Sequence, residues 1–269
     1  MFMGDSFTEG LGVAFDDTFC GLLSRRFARD GVEVHNAAAL SYSPKLYYLK
    51  TKFLIEQVRF EFAKLVVMID VSDIQDETFY ESFEPRMTHS LADRVDTLLY
   101  RRSFTYNTLS RRLIPLRNIS TEFHFSDKAE SDVWIESRDI DYFDDAERWL
   151  WTVDQKAFGE MSKRGLRIAS EWMTRLVDLC RARNVDSLVV VYPGPYQVLG
   201  NDRNSIQVRH WRRFCEKHDV PFLDLFPTFI DPKLPGPQTV IDRYFVKGDV
   251  HLNETGHRLV ADLLYEQLK

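Results

Sequence analysis

At 269 residues, 44% hydrophobic and 28% charged, the chain has the balance of an ordinary globular protein with room for a real core, in one large α/β domain or two small ones. Its formal net charge of −6 argues against a nucleic-acid surface, and the pairs Arg101-Arg102, Arg111-Arg112 and Arg212-Arg213 lie among acids and aromatics, as solvated helix faces do. No run approaches the roughly 18 continuous apolar residues of a membrane span, so none is expected.

Short apolar runs bounded by turn residues alternate with helix-period stretches, the pattern of a parallel sheet with crossover helices. A strand is predicted at residues 2–4, a helix at 15–29, a strand at 32–35, a helix at 45–60 and a strand at 65–70. From about 76 to 161 the alternation breaks, charge and aromatics dominate, and the length far exceeds an ordinary connection. An insertion is expected there, capping the sheet's carboxyl edge, with helices around 88–102 and 144–158. Trp134, Tyr142, Trp149 and Trp151 are expected to pack its core rather than bind sugar rings. Alternation resumes with a helix at 166–183, a strand at 187–192, a helix at 205–218, a strand at 221–225 and a last helix at 253–268, capped by Asn253. The strands at 65–70 and 187–192 are continuously apolar, as central strands covered on both faces should be.

Cys20, Cys180 and Cys215 sit far apart in apolar helical patterns and are expected to be reduced core residues. With no charged-then-apolar leader, a cytoplasmic location is the expectation at face value. Yet only Met1, Phe2 and Met3 precede Gly4, too few for a strand of about five residues. A natural start further upstream, and with it a periplasmic or exported protein, is the alternative.

In parallel α/β sheets the active site forms at the carboxyl ends of the strands. There the first strand runs into Gly4-Asp5-Ser6-Phe7-Thr8-Glu9-Gly10, the third into Asp70-Val71-Ser72-Asp73, and Gly248-Asp249-Val250-His251 stands just before the last helix. A serine hydroxyl needs a base to take its proton, and the base works best when a carboxylate orients it. Ser6, His251 and Asp249 supply those functions, and on a turn the side chains of Asp249 and His251 can converge on one hydrogen bond.

The first of these segments resembles the opening block of the SGNH (GDSL-type) hydrolases. Asp249-Val250-His251, with Asn253 and Gly256-His257, resembles their closing block. The resemblance spans nearly the whole chain except the insertion. It implies a single domain over 1–269 with a flavodoxin-like three-layer α/β/α sandwich, a central parallel sheet in the order 2-1-3-4-5, and the helical insertion. It also implies Ser6, His251 and Asp249 as a catalytic triad that needs no metal or organic cofactor. Cleavage of short O-acyl esters of a small molecule or a carbohydrate is the expected activity. O-acetyl transfer to a polysaccharide and a silent carbohydrate-binding relative are the alternatives.

Two blocks depart from the family pattern. Ser41 stands where a glycine usually offers its N–H to the oxyanion, so the donor survives but glycine's freedom at positive φ does not, and a differently set loop is expected. The third block, normally G-x-N-D, reads Asp70-Val71-Ser72-Asp73, which leaves the Ser72 hydroxyl to replace the asparagine amide. The expected hole is therefore the Ser6 N–H, the Ser41 N–H and the Ser72 hydroxyl. Asp70, Asp73, Asp76 and Glu77 are not read as a metal cluster, since no His or second acidic loop accompanies them, and Asp70 and Asp73 are expected to cap or brace the loop after the third strand. His257 is expected to pack, and Tyr192-Pro193-Gly194-Pro195-Tyr196 to line the cleft.

Overall fold

A computed structural model describes residues 1–82, 146–154 and 158–269. The chain divides into two units, Met1–Glu81 with Phe143–Lys269, and Ser82–Tyr142. The predicted helix at 88–102, Trp134 and Tyr142 lie outside the described residues.

The first unit is built on four parallel strands, β1 (Phe2–Met3), β2 (Lys64–Ile69), β3 (Asp186–Val191) and β4 (Phe222–Asp224), hydrogen-bonded in that order. Phe2 lies opposite Val66, Val66 opposite Leu188, and Val189 opposite Phe222. The predicted strand at 32–35 is reduced to a single parallel bridge between Asn36 and Phe2. Gly31 turns left-handed at φ 71 just before it, Val32 is 51% exposed, and only Val34 of its apolar residues packs against the core, so little burial holds this run as a strand. Counting the bridge, the order is second, first, third, fourth, fifth, the flavodoxin-like arrangement.

The helices of this unit are α1 (Ser6–Glu9), α2 (Phe19–Phe27), α3 (Pro44–Phe53), α4 (Asp73–Phe79), α5 (Ala146–Leu150) and α6 (Glu160–Ala182). They continue with α7 (Pro195–Leu199), α8 (Ile206–His218), α9 (Phe226–Phe229), α10 (Pro237–Tyr244) and α11 (Glu254–Leu268). In the three-layer fold α2 packs on α11, whereas α3 and α4 pack on α6, which with α8 also meets β3. The helix predicted at 15–29 is shorter than expected, with 3-10 turns at Phe15–Asp17 and Ala28–Asp30 on either side of α2. That predicted at 45–60 ends as an α-helix at Phe53 and closes through a π turn at Leu54–Val58, where Arg59 goes left-handed.

β2 and β3 are buried almost throughout, as their unbroken apolar runs require. Cys20, Cys180 and Cys215 are free and buried in the core. Trp149 and Trp151 are core residues as well, at 3% and 1% exposure. The Trp151 indole donates to the Val71 carbonyl at 3.0 Å, and Gln197 Nε2 to the Trp149 carbonyl at 2.7 Å. These bonds clamp the segment around α5 onto the loops after β2 and β3, at the carboxyl edge of the sheet.

Candidate active site

Ser6 opens the single turn α1, directly after β1. Asp5 caps that turn, its carboxylate accepting the Phe7 N–H at 3.1 Å, and Gly10 closes it left-handed at φ 90 with its N–H on the Ser6 carbonyl at 3.0 Å. Gly4 is needed for the tight exit from the strand, because a Cβ there would overlap the Thr8 side chain and crowd the Met68 carbonyl.

His251 comes from the opposite end of the chain. Phe245 and Leu252 form an antiparallel bridge, Val246 N–H donates to the His251 carbonyl at 2.9 Å, and Asp249 N–H to the Val246 carbonyl at 3.0 Å. Asn253 locks the exit of this loop. Its Oδ1 caps α11 by accepting from Thr255 and Gly256, and its Nδ2 donates to the Arg243 and Phe245 carbonyls.

The two loops bring Ser6, His251 and Asp249 together. Ser6 Oγ lies 2.9 Å from His251 Nε2, and His251 Nδ1 lies 2.6 Å from Asp249 Oδ1. The Asp249 oxygen also accepts the N–H groups of Val250 at 2.6 Å and His251 at 3.1 Å. Partial burial pulls the Asp249 carboxyl upward, but the hydrogen bond and charge of His251 and these amides outweigh it and hold it below its ordinary value. Ser6 and His251 are buried, at 6% and 5%, and the His251 ring packs on Phe7 with centroids 4.6 Å apart.

The solved structures similar to this chain have the same architecture. No protein-family model matches the sequence, and no curated protein sequence does. An acetyl xylan esterase, AlAXEase, superposes with a TM-score of 0.53 at 14% identity, over 100% of this chain and 98% of its own. TesA gives 0.51 at 11%, over 100% and 96%. A protein of Desulfitobacterium hafniense assigned to the lipolytic G-D-S-L family gives 0.51 at 11%, over 99% and 97%. The fold is that of the G-D-S-L proteins.

Within that G-D-S-L fold the departing blocks behave differently from expectation. Ser41 itself adopts the left-handed conformation, at φ 55, so the loop keeps a positive φ without glycine. Hydrogen bonds hold it there: Ala39 N–H reaches the Gly4 carbonyl at 3.3 Å, Leu40 N–H the Glu9 carboxylate at 2.8 Å, and Asn36 Nδ2 the Thr8 carbonyl at 2.8 Å. Ser72, expected to point its hydroxyl at an oxyanion, directs it instead to Asp70, at 3.0 and 3.2 Å from the two carboxylate oxygens. A hydroxyl has one proton to donate, and the carboxylate two residues back is its nearest acceptor.

The acidic loop is also less local than its spacing suggests. Asp5, Asp70 and Asp73, all buried, present carboxylate oxygens within 4.8 Å of one another. Burial and then the Asp70 charge push the Asp5 and Asp73 carboxyls well above their usual value. Asp70 is raised by burial but eased by the Ser72 hydroxyl and by the Ser72 and Asp73 N–H groups it accepts. Tyr47 donates to Asp73 at 2.9 Å, and Arg148 pairs with Asp76 at 2.9 Å. Asp5 supplies the second acidic loop that local spacing did not reveal. The strand register could have: with Phe2 opposite Val66, the ends of β1 and β2 bring Asp5 to Asp70.

Tyr192 does not line a cleft. It is 2% exposed and packs on Phe7, centroids 5.6 Å apart, while Tyr196 on α7 is half-buried. His257 packs as expected, 1% exposed, accepting the Phe19 N–H on Nδ1 at 3.3 Å. Burial, then the nearby His251, lowers its pKa to about 4, so it stays neutral and pins α11 to the start of α2.

Proposed function

We propose that this protein is a serine-dependent ester hydrolase that cleaves short O-acyl esters through an acyl-enzyme on Ser6. The observation that carries the reading is the continuous relay from Ser6 Oγ through His251, at 2.9 Å and 2.6 Å, to Asp249. With Nδ1 donating to Asp249, Nε2 is left as the acceptor for the serine proton.

Ser6 Oγ attacks the ester carbonyl carbon as its proton passes to His251 Nε2. The oxyanion faces the N–H groups of Ser6, at the first position of α1 with no partner inside that helix, and of Ser41. The tetrahedral adduct collapses, the C–O bond to the alcohol breaks, and the alcohol leaves with the proton from His251. Water then gives its proton to His251, its oxygen bonds the acyl carbon, and the carboxylic acid leaves as Ser6 regains its proton.

Two observations favour a small acyl group on a sugar or similar alcohol. Phe7 packs on the His251 ring and is itself backed by Trp149 and Tyr192, all three buried, so bulky aromatics occupy the space beside the imidazole. The acetyl xylan esterase among the similar structures is an esterase of acetylated carbohydrate, which supports that substrate class by analogy of fold.

The test is labelling of the folded protein by a fluorophosphonate, read as a mass increase on the Ser6 peptide. Turnover follows on aryl esters of increasing acyl length. Wild type labels, Ser6→Ala does not, and turnover is greatest for acetyl. A folded wild type that takes no label sinks the proposal.

A further inference from the structure

We propose that Glu9 is a positioning residue for ester cleavage: its carboxylate ties the turn that carries Ser41 to the turn that carries Ser6, and so holds the two N–H donors of the oxyanion hole in register. The inference rests on the esterase reading above. Glu9 ends α1, the single turn that Ser6 opens, and its Oε2 accepts the Leu40 N–H at 2.8 Å. One helical turn therefore offers a donor at its first residue and clamps the loop of the other donor with its last.

The Ser41 loop needs a clamp. Tyr42 N–H closes a turn on the Ala39 carbonyl at 3.1 Å, with Leu40 and Ser41 as its central residues, and of these two only Ser41 has a positive φ, 55. That is the type II pattern, whose third position suits glycine and disfavours a residue with a Cβ. The relaxed form, type I, reverses the central peptide, which carries the Ser41 N–H on one face and the Leu40 carbonyl on the other. Reversal would offer an oxyanion a carbonyl oxygen in place of a donor.

The rest of the loop is fixed at its ends and not at this peptide. Ala37 N–H donates to the Phe2 carbonyl at 2.9 Å and Ala39 N–H to the Gly4 carbonyl at 3.3 Å. On the far side the Glu77 carboxylate accepts the Ser43 hydroxyl at 2.7 Å and the Lys45 N–H at 3.0 Å. Between these anchors, among the described residues, Glu9 is the one side chain that bonds the backbone of Leu40 or Ser41. Glu9 and Leu40 are both exposed, so this bond can be lost without opening the core.

The test compares steady-state kinetics on an aryl acetate for wild type, Glu9→Ala, Glu9→Gln, Ser41→Gly and the double variant Glu9→Ala with Ser41→Gly. Glu9→Ala should lower kcat by about five- to thirtyfold, the factor by which a left-handed residue with a Cβ is disfavoured. KM should change by less than about twofold, because the bond serves the transition state. Glu9→Gln, whose amide oxygen still accepts, should recover most of the loss. In the Ser41→Gly background the turn is no longer strained, so Glu9→Ala should cost under about threefold there. Melting temperatures of the Glu9 variants should stay within about 2 °C of wild type. Hydrogen exchange read by mass spectrometry needs no turnover: the fragment containing Leu40 should exchange faster in Glu9→Ala, and other fragments as in wild type. The proposal is overturned by an unchanged kcat, a loss carried by KM alone, a Glu9→Gln as slow as Glu9→Ala, an equal loss in the Ser41→Gly background, or unchanged exchange at Leu40. Failure of Glu9→Ala to fold overturns it as well, since the residue is then structural. If wild type neither takes the fluorophosphonate label nor turns over, the esterase reading fails, and the exchange result alone decides whether Glu9 holds the turn.

Discussion

Two sets of carboxylates meet the turn α1, Asp249 through His251 and Asp5 as its cap, and the same chemical group behaves in opposite ways. On the His251 side, Asp249 keeps 43% of its side chain exposed, meets an imidazole and two amides, and is held below its ordinary value. On the other side, Asp5, Asp70 and Asp73 are shut away from water against one another and are pushed up. Partner and solvent, not residue type, decide whether an aspartate stays a charge that can orient a base. The side with an imidazole and water is the one suited to chemistry, and the closed side is suited to holding the turn in place.

The separation of the two sides breaks most sharply if His251→Gln disturbs both. We expect it to lower kcat/KM on a short acyl ester by on the order of 10⁴-fold to 10⁶-fold, with the melting temperature little changed. A collapse of folding instead of turnover shows that the sides cannot be separated. Asp249→Asn should cost less, about 10²-fold to 10⁴-fold, because the ring stays in place but its tautomer is no longer fixed. Steady-state kinetics at fixed pH, beside a melting curve, check both variants.

The pH dependence of stability distinguishes the sides by sign. Asp249 is lowered from 3.8, so its contribution is present above that pH and is lost as pH falls through its folded value. Asp5 and Asp73 are raised from 3.8, so the native state holds the extra protons. Their stability is fully present below that pH and declines as pH rises toward their folded values. The protein should therefore melt at lower temperature as pH climbs from about 4 through neutrality. Asp73→Asn should flatten that slope and raise Tm near pH 8 by a few degrees, at about 2–4 °C for each kcal/mol relieved. Asp249→Asn should leave the slope alone. Thermal melts across pH, read by circular dichroism, decide; a slope unchanged in Asp73→Asn contradicts the account.

Much of this was legible in the sequence because the informative signals are local. Gly4-Asp5-Ser6 and Asp249-Val250-His251 each make one turn whose geometry is set by its own residues, and β2 and β3 announce their burial by unbroken apolar runs. What was not legible is contact at long range. Residues 32–35 carry strand-forming side chains, yet Val32 is exposed and only Val34 packs against the core, a tertiary fact that overrides propensity. Asp5 and Asp70 meet only because of strand register, and no spacing within either loop encodes that meeting. Ser41 shows the reverse limit: a serine in the left-handed region is strained but tolerated when Ala39 and Leu40 are anchored to the first loop.

Ser72→Ala has the smallest expected effect on turnover, and it sharpens the comparison because Ser72 lies in the block that departs from the family pattern. If the Ser72 hydroxyl served an oxyanion, its loss would lower kcat by on the order of 10²-fold or more. The hydroxyl is instead bonded to Asp70 and buried at 1% exposure, so the variant should retain turnover within about threefold. Its cost should fall on stability. Removing a hydrogen bond to a carboxylate costs about 1.5–3 kcal/mol, and Asp70 still accepts the Ser72 and Asp73 amides, so the lower end applies. The Asp70 carboxyl should also rise further once the hydroxyl that eases it is gone, steepening the loss of stability toward higher pH. Kinetics and pH-dependent melts on the same preparation separate the outcomes. A large fall in kcat without loss of stability would move Ser72 to the reacting side of α1, and a steeper melt with kcat retained keeps it with Asp70.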